Sequence, residues 1–366
     1  MSGVWGEYLK ISLFGESHGQ GIGIVINGLP AGIELDLDYI RRELDRRAPG
    51  KSSLASARQE KDKFEIISGI FHNRTTGAPF CCLIRNEDQH SGDYEEIKDI
   101  MRPGHADYTA RIKYSEFNDY RGSGHFSGRL TAPLVLAGAI AKKILLSREV
   151  VIGSHIAGIA EVNELLFDAV AIGRDILQEL VIKEFPVLTP EKGILMKDRI
   201  LQAHAEHDSV GGVVETAVTG LPVGLGSPFF DSVESKLAHL LFSIPAVKGV
   251  EFGEGFRLSQ MQGSQANDSF SWRDGQVKTA TNNCGGIQGG ITNGMPVIFR
   301  TAFKPTPSIG LAQKTVDMVK KEDVEINIKG RHDPCIVVRA VPVVEAMAAL
   351  ALLDLMIEKD GISWIR

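Results

Sequence analysis

Residues 8–13 alternate in side-chain type, Tyr-Leu-Lys-Ile-Ser-Leu, and residues 21–27 form the apolar run Gly-Ile-Gly-Ile-Val-Ile-Asn. The spacing predicts two strands closed into a hairpin. Its tip is Phe14-Gly-Glu-Ser-His-Gly19, which sets Glu16, Ser17 and His18 among glycines. Glycines let a backbone approach a ligand, and a histidine titrates near neutral pH, so the tip reads as catalytic. The plainer reading is an exposed turn that holds a histidine.

Beyond the turn Gly28-Leu-Pro-Ala-Gly32, Asp36 or Asp38 caps a predicted helix to about Arg47, ended by Pro49-Gly50. Ile40 and Leu44 share its inner face; Arg41, Arg42, Arg46 and Arg47 are expected on its exposed side. With the polar residues 51–63 and Arg58, they form an expected basic lip over an anion. Residues 64–70, 78–86, 247–253 and 295–303 read as further strands. Residues 130–146 and 340–357 are apolar on nearly every helical face, which requires cover on both sides. The strands come in pairs without βαβ alternation. The expected fold is therefore α+β, a layer of buried helices sandwiched between antiparallel β-sheets. Residues 217–224, Ala-Val-Thr-Gly-Leu-Pro-Val-Gly, echo residues 25–32, Val-Ile-Asn-Gly-Leu-Pro-Ala-Gly, and a capped helix at 231–241 follows the second copy. The echo predicts pseudo-two-fold internal symmetry within a single domain over 1–366.

Composition narrows the function classes. The net charge of −6 provides no basic field for nucleic acid. The first residues lack the pattern of a signal peptide, and the longest apolar runs carry Lys or Glu and read as too short for a membrane span, so a cytoplasmic protein is expected. Cys81, Cys82, Cys284 and Cys335 show neither metal spacing nor a disulfide framework. His204, Glu206 and His207 match no standard site, so no metal is expected. The 39 glycines exceed the average share and cluster beside polar residues, as turns near a polar ligand would.

Three further loops carry chemistry. Arg102-Pro-Gly-His-Ala-Asp107 sets His105 after a tight turn; Asp107 is expected to cap the following helix rather than orient His105. Tyr120-Arg-Gly-Ser-Gly-His-Phe-Ser-Gly-Arg129 feeds a helix N-terminus, a favourable place for an anion. Lys304-Pro-Thr-Pro-Ser308 and Gly330-Arg-His-Asp-Pro-Cys335 add cations, hydroxyls, an imidazole and a carboxylate. Two loop histidines with several arginines suit acid–base chemistry on a phosphorylated substrate.

These segments, together with Asp208-Ser-Val-Gly-Gly212, Ala246-Val-Lys-Gly-Val-Glu251, Gly285-Gly-Ile-Gln-Gly-Gly290 and Glu345, resemble the chorismate synthases from end to end. The resemblance implies 1,4-anti elimination of phosphate from 5-enolpyruvylshikimate 3-phosphate, giving chorismate, with reduced FMN required although the reaction is redox-neutral. It implies a homotetramer with a helical layer between antiparallel sheets. By position, His18 would protonate the departing phosphate, His105 the reduced flavin, and Asp333 would belong to the proton relay. Arg46, Arg47, Arg129, Arg339 and Ser17 would hold substrate. His125, Phe126, Ser127, Ala246, Gly289, Lys304, Pro305, Thr306, Pro307, Ser308 and Arg331 would hold FMN. Whether the chain reduces its own flavin with NADPH, as bifunctional relatives do, is left open. The chain departs from many relatives in having His125-Phe126 for Arg-Ser, Gly128 for Ala, and Ala48 and Ser53 for arginines, which thins the basic lip. Another FMN oxidoreductase, or a flavin-binding regulator without turnover, would use similar loops.

Overall fold

The computed structural model describes residues 3–49, 62–87, 94–273, 275–328 and 332–365. The alternating stretch forms β2 (Lys10–Gly15), flanked by β1 (Val4–Trp5) and joined by the predicted hairpin to β3 (Gly21–Asn27). α1 (Leu37–Arg47) starts where Asp36 accepts the backbone N–H of Tyr39 at 2.8 Å. β4 (Phe64–Ser68), the small pair β5 (Ile70–Phe71) and β6 (Arg74–Thr75), and β7 (Phe80–Arg85) follow. The first sheet runs β1-β2-β3-β7-β4, antiparallel throughout.

α2 (Asp107–Lys113) and α3 (Thr131–Leu146) lead to β8 (Val151–Ile159), buried along its whole length, and β9 (Val162–Asn163). α4 (Arg174–Ile182) and α5 (Pro190–Ala205) precede β10 (Gly212–Thr219), α6 (Val233–Ser243) and β11 (Val247–Phe252). The short α7 (Gly263–Ala266), the pairs β12 (Phe270–Arg273) with β13 (Gln276–Thr279) and β14 (Ile287–Gln288) with β15 (Ile291–Thr292), and β16 (Val297–Phe303) come next. The pair β17 (Gln313–Asp317) and β18 (Glu322–Ile326) precedes α8 (Val337–Asp360). The second sheet runs β11-β16-β10-β8-β9, again antiparallel. The class is α+β.

α3 and α8 pack along each other; α3 also touches β3 and β7, and α8 touches β8 and β10. That explains why both helices are apolar all round. α8 corrects one expectation: by length and composition it could cross a membrane, with a mean hydropathy of 2.0 over its most apolar window. Here that window is wholly buried inside the protein. Its Asp354 accepts backbone N–H groups of Tyr8 and Leu9 at 2.9 and 2.8 Å and so fixes the entry to β2.

The two echoing turns share one hydrogen-bond scheme. Thr75 Oγ1 donates to Pro30 O at 2.6 Å and accepts from Ile33 N at 2.9 Å. Thr292 Oγ1 donates to Pro222 O at 2.7 Å and accepts from Leu225 N at 2.9 Å.

α1 corrects a second expectation. Ile40 and Leu44 face the core as expected, but Arg46 and Arg47 also turn inward and leave only Arg41 and Arg42 exposed. Arg46 donates to Glu345 and Glu43, and Lys142 of α3 donates to the same two carboxylates at 2.7 and 2.9 Å. Burial alone would raise the Glu345 carboxyl, yet Arg46 and Lys142 hold it down to about 2. This quartet of two cations and two carboxylates joins α1, α3 and α8.

Candidate active site

The β2–β3 tip is built from three directions. Asn86, just past β7, donates to Glu16 O at 3.0 Å and Gly19 O at 2.9 Å and so brackets Ser17 and His18. Ser17 N donates to Gly124 O at 3.0 Å, and the His125 ring turns Nδ1 to Gly15 O at 2.9 Å. The 121–127 loop thus lies across the tip. At its apex Gly122, with φ of 55°, lies so close to His18 that a Cβ there would sit 2.2 Å from Cε1 and Nδ1 of the ring. Both Ser17 and His18 are buried. Ser17 Oγ has no hydrogen-bond partner among the described residues.

Tyr94 lies edge-on to His18, with centroids 5.1 Å apart, and its own face carries the Arg102 guanidinium at 5.5 Å. Arg102 is gripped by Asp107 through Nε and Nη2 at 2.7 and 2.8 Å and reaches Ser123 Oγ at 3.0 Å. This corrects the expected helix cap: the N-cap is Ala106, and Asp107 is spent on Arg102 because the Pro103-Gly104 turn folds that guanidinium back onto it. His105, in the same turn, lies 2.8 Å from Ser308 Oγ through Nε2. Burial, and then the Arg102 charge, press its imidazolium down to about 4, so it is neutral at pH 7. Lys304 Nζ donates to Gly104 O at 2.6 Å, and Lys304 N to Ala246 O at 3.0 Å. Arg102 therefore stands between the two predicted histidines.

A chain of polar contacts leads away from the tip. Arg129, on the turn before α3, donates through Nε to Asn86 Oδ1 at 3.1 Å, and its Nη1 meets Asp62. Asp62 also accepts from Arg47 Nη1 at 2.8 Å. The Arg47 carbonyl accepts from Arg339 Nε at 3.1 Å, and Arg339 Nη1 binds Asp333 at 2.6 Å. Burial drives the Arg47 guanidinium down to about 10 against the pull of Asp62. Burial would raise the Asp62 carboxyl, but Arg47 and Arg129 together hold it below the ordinary range.

The structure thus joins His18, Ser17, Arg129, Arg47, Arg339 and Asp333 by continuous contacts, with His105, Lys304, Ser308 and Ala246 reached through Arg102 and its turn. Thr306 belongs to the 304–308 segment: its carbonyl accepts from Ser209 Oγ at 2.7 Å, while its own buried Oγ1 has no partner among the described residues. Pro307 closes on Gly104, while Pro305 is exposed. Other expected positions have partners of their own. Arg46 is held in the quartet with Glu345. His125 latches the tip, Phe126 packs on Tyr114 with centroids 6.1 Å apart, and Ser127 Oγ accepts from Arg129 N at 3.3 Å. Gly289 forms the β14–β15 turn, where its neighbour Gly290 packs on Ser232. Arg331, Arg58 and most of the expected lip lie outside the described residues. Sequence reasoning missed Asp62, Asn86, Tyr94, Gly122 and Ser123. Gly122 and Ser123 sit in a loop already singled out by its glycines.

A chorismate synthase family profile matches residues 9–357. Curated relatives named chorismate synthase include that of Pyrococcus abyssi, 49% identical over 95% of this chain and 96% of the relative. That of Dehalococcoides mccartyi, strain BAV1, is 48% identical over 97% and 96%. A solved structure described as a crystal structure of chorismate synthase superposes with a TM-score of 0.77 at 31% identity, covering 98% of this chain and 94% of that one.

Proposed function

This chain belongs to the chorismate synthase family and forms chorismate as a lyase of aromatic biosynthesis; on that premise we propose how its own residues divide the work. Arg47, Arg129 and Arg339 hold the anionic groups of 5-enolpyruvylshikimate 3-phosphate. His18, buried beside Ser17, delivers a proton to the departing phosphate. His105, neutral at pH 7, takes up a proton at one ring nitrogen as it gives one up at the other, Nε2 being the atom it turns to Ser308. Asp333 accepts a proton at the carboxylate now turned to Arg339. The observation that carries this reading is the unbroken line of contacts from the His18 tip through Arg129, Asp62, Arg47 and Arg339 to Asp333. Buried arginines of this kind suit bidentate recognition of phosphate and carboxylate.

The cofactor proposed is reduced FMN, and Lys304, Thr306, Ser308 and Ala246 are the described residues that would hold it. The buried hydroxyl of Thr306, which has no partner among the described residues, and the cation of Lys304 fit a polar, anionic group. When bound, reduced flavin supplies an electron to the allylic system and takes it back. We also read the helices as a layer between two sheets and the chain as two related halves. Strand order β2-β3-β7-β4 matches β8-β10-β16-β11, and the Thr75 and Thr292 turns support the same reading. A homotetramer in the cytoplasm remains the proposed setting.

The test is anaerobic incubation of the protein with photoreduced FMN and 5-enolpyruvylshikimate 3-phosphate, following chorismate and phosphate together. Arg129→Ala is expected to weaken substrate binding by about 1.5–3 kcal/mol, the value of a charge-assisted contact, with flavin binding nearly unchanged. Equal losses for both ligands would refute the substrate role.

A further inference from the structure

Asp62 lies at the point where two buried guanidiniums converge. The side chains of Arg47, Asp62 and Arg129 are 5%, 1% and 3% exposed. Each guanidinium offers five N–H donors. Arg47 turns Nε to Thr131 Oγ1 at 3.1 Å and Nη2 to Gly128 O at 3.0 Å. Arg129 turns Nε to Asn86 Oδ1 at 3.1 Å and Nη2 towards Arg85 O. These neutral partners fix both planes. The remaining described contact of each, from Nη1, goes to one carboxylate, that of Asp62. Two fixed, like-charged guanidiniums aimed at one point form a seat for an anion, and the anion in that seat belongs to the chain itself.

We propose that Asp62 is an internal competitor for the anion seat of Arg47 and Arg129, and so sets how strongly that seat takes an external anion. The inference rests on the reading above that these arginines serve the substrate's anions. It adds that substrate must exchange with Asp62, and that the exchange weakens binding in favour of release. A phosphate or carboxylate can replace the Asp62 oxygens at both Nη1 atoms, because those atoms are already held in place by neutral partners. The opposing account makes Asp62 a counter-ion without which the guanidiniums cannot stay buried. The two accounts predict opposite signs for one measurement.

That measurement is calorimetric titration of the full chain with inorganic phosphate, which needs neither substrate nor flavin. Asp62→Asn removes the charge and keeps the shape. It is expected to bind phosphate at least tenfold more tightly than the parent. Asp62→Glu keeps the charge and is expected to stay within about threefold of the parent. Arg129→Ala in the Asp62→Asn background should abolish the gain, which locates it at this seat. Should Asp62→Asn not fold alone, phosphate at millimolar concentration is expected to restore its folding, read as a cooperative melting transition. Affinity in Asp62→Asn equal to or weaker than the parent's would overturn the proposal, as would an unfolded variant that phosphate fails to rescue. Tighter phosphate binding in Asp62→Asn, with substrate binding untouched in Arg129→Ala, would keep the seat and refute only the reading of what fills it.

Discussion

Gly122→Ala tests whether His18 must stand where it stands. The added Cβ would lie 2.2 Å from Cε1 and Nδ1 of the ring and 3.1 Å from Ser17 Oγ. Carbon contacts settle at about 3.5–4.0 Å, so the imidazole or the loop must retreat by at least about 1.3 Å. The backbone adds a second cost. Residue 122 has φ of 55°, a left-handed conformation that costs an L-residue roughly 1–2 kcal/mol. That cost is felt as stability, and a melting temperature lower by a few degrees is expected. The displacement is felt as rate: a misplacement of about 1 Å can cost a reaction about 10²-fold. The assay is anaerobic turnover with pre-reduced FMN, alongside circular dichroism and thermal melting. Gly128→Ala is the control, since its Cβ would meet nothing within 4 Å. Its rate is expected to stay within about twofold of the parent, as for other substitutions that disturb no packing. A folded Gly122→Ala with parental turnover would refute the claim that His18 acts from this position.

Two further outcomes are expected. The unfolded chain protonates His105 as pH falls through about 6.5, while the folded chain resists until about 4, because burial and then Arg102 oppose the charge. Stability from this group is therefore present above pH 6.5 and lost between 6.5 and 4, by up to about 3 kcal/mol. Urea unfolding at both ends of that window checks it, and a His105→Gln variant whose pH dependence equals the parent's would refute it. Asp333→Asn keeps the shape and the turn before Pro334 but cannot accept a proton. Single-turnover rates with pre-reduced FMN are expected to fall by about 10²-fold or more while oxidised FMN stays bound; near-parental rates would make Asp333 a structural turn residue.

Much of the fold was legible because two of its turns share one sequence pattern and because its apolar helices have no polar face. The Gly28-Leu-Pro and Gly220-Leu-Pro turns announced their own likeness, and residues 130–146 and 340–357 announced cover on both sides. Arg46 and Arg47 show where reading stops. Adjacent helix residues point about 100° apart, so one enters the quartet with Glu345 and the other meets Asp62. Choosing between them requires the helix's rotation against α3 and α8, which only packing sets. Asp107 looked like a cap because local spacing allows it, but the turn before it brought a guanidinium that binds it more strongly. Asp62, Asn86 and Tyr94 carry no local signal, since each acquires its part from a partner at least 15 residues away in sequence.

The quartet of Arg46, Lys142, Glu43 and Glu345 has a consequence for how this protein can change over generations. Its charges balance only as a set, and each side chain comes from a helix whose neighbours are fixed by the others. Losing one member would strand a buried charge at a cost of about 3–5 kcal/mol, a large share of a protein's whole stability. Replacing all four with well-packed apolar residues would carry no such penalty. The quartet is thus expected to be inherited as a unit. A lineage can keep it or exchange it wholesale at little cost, but each single step between gives up a large share of the stability, so leaving it is harder than keeping it.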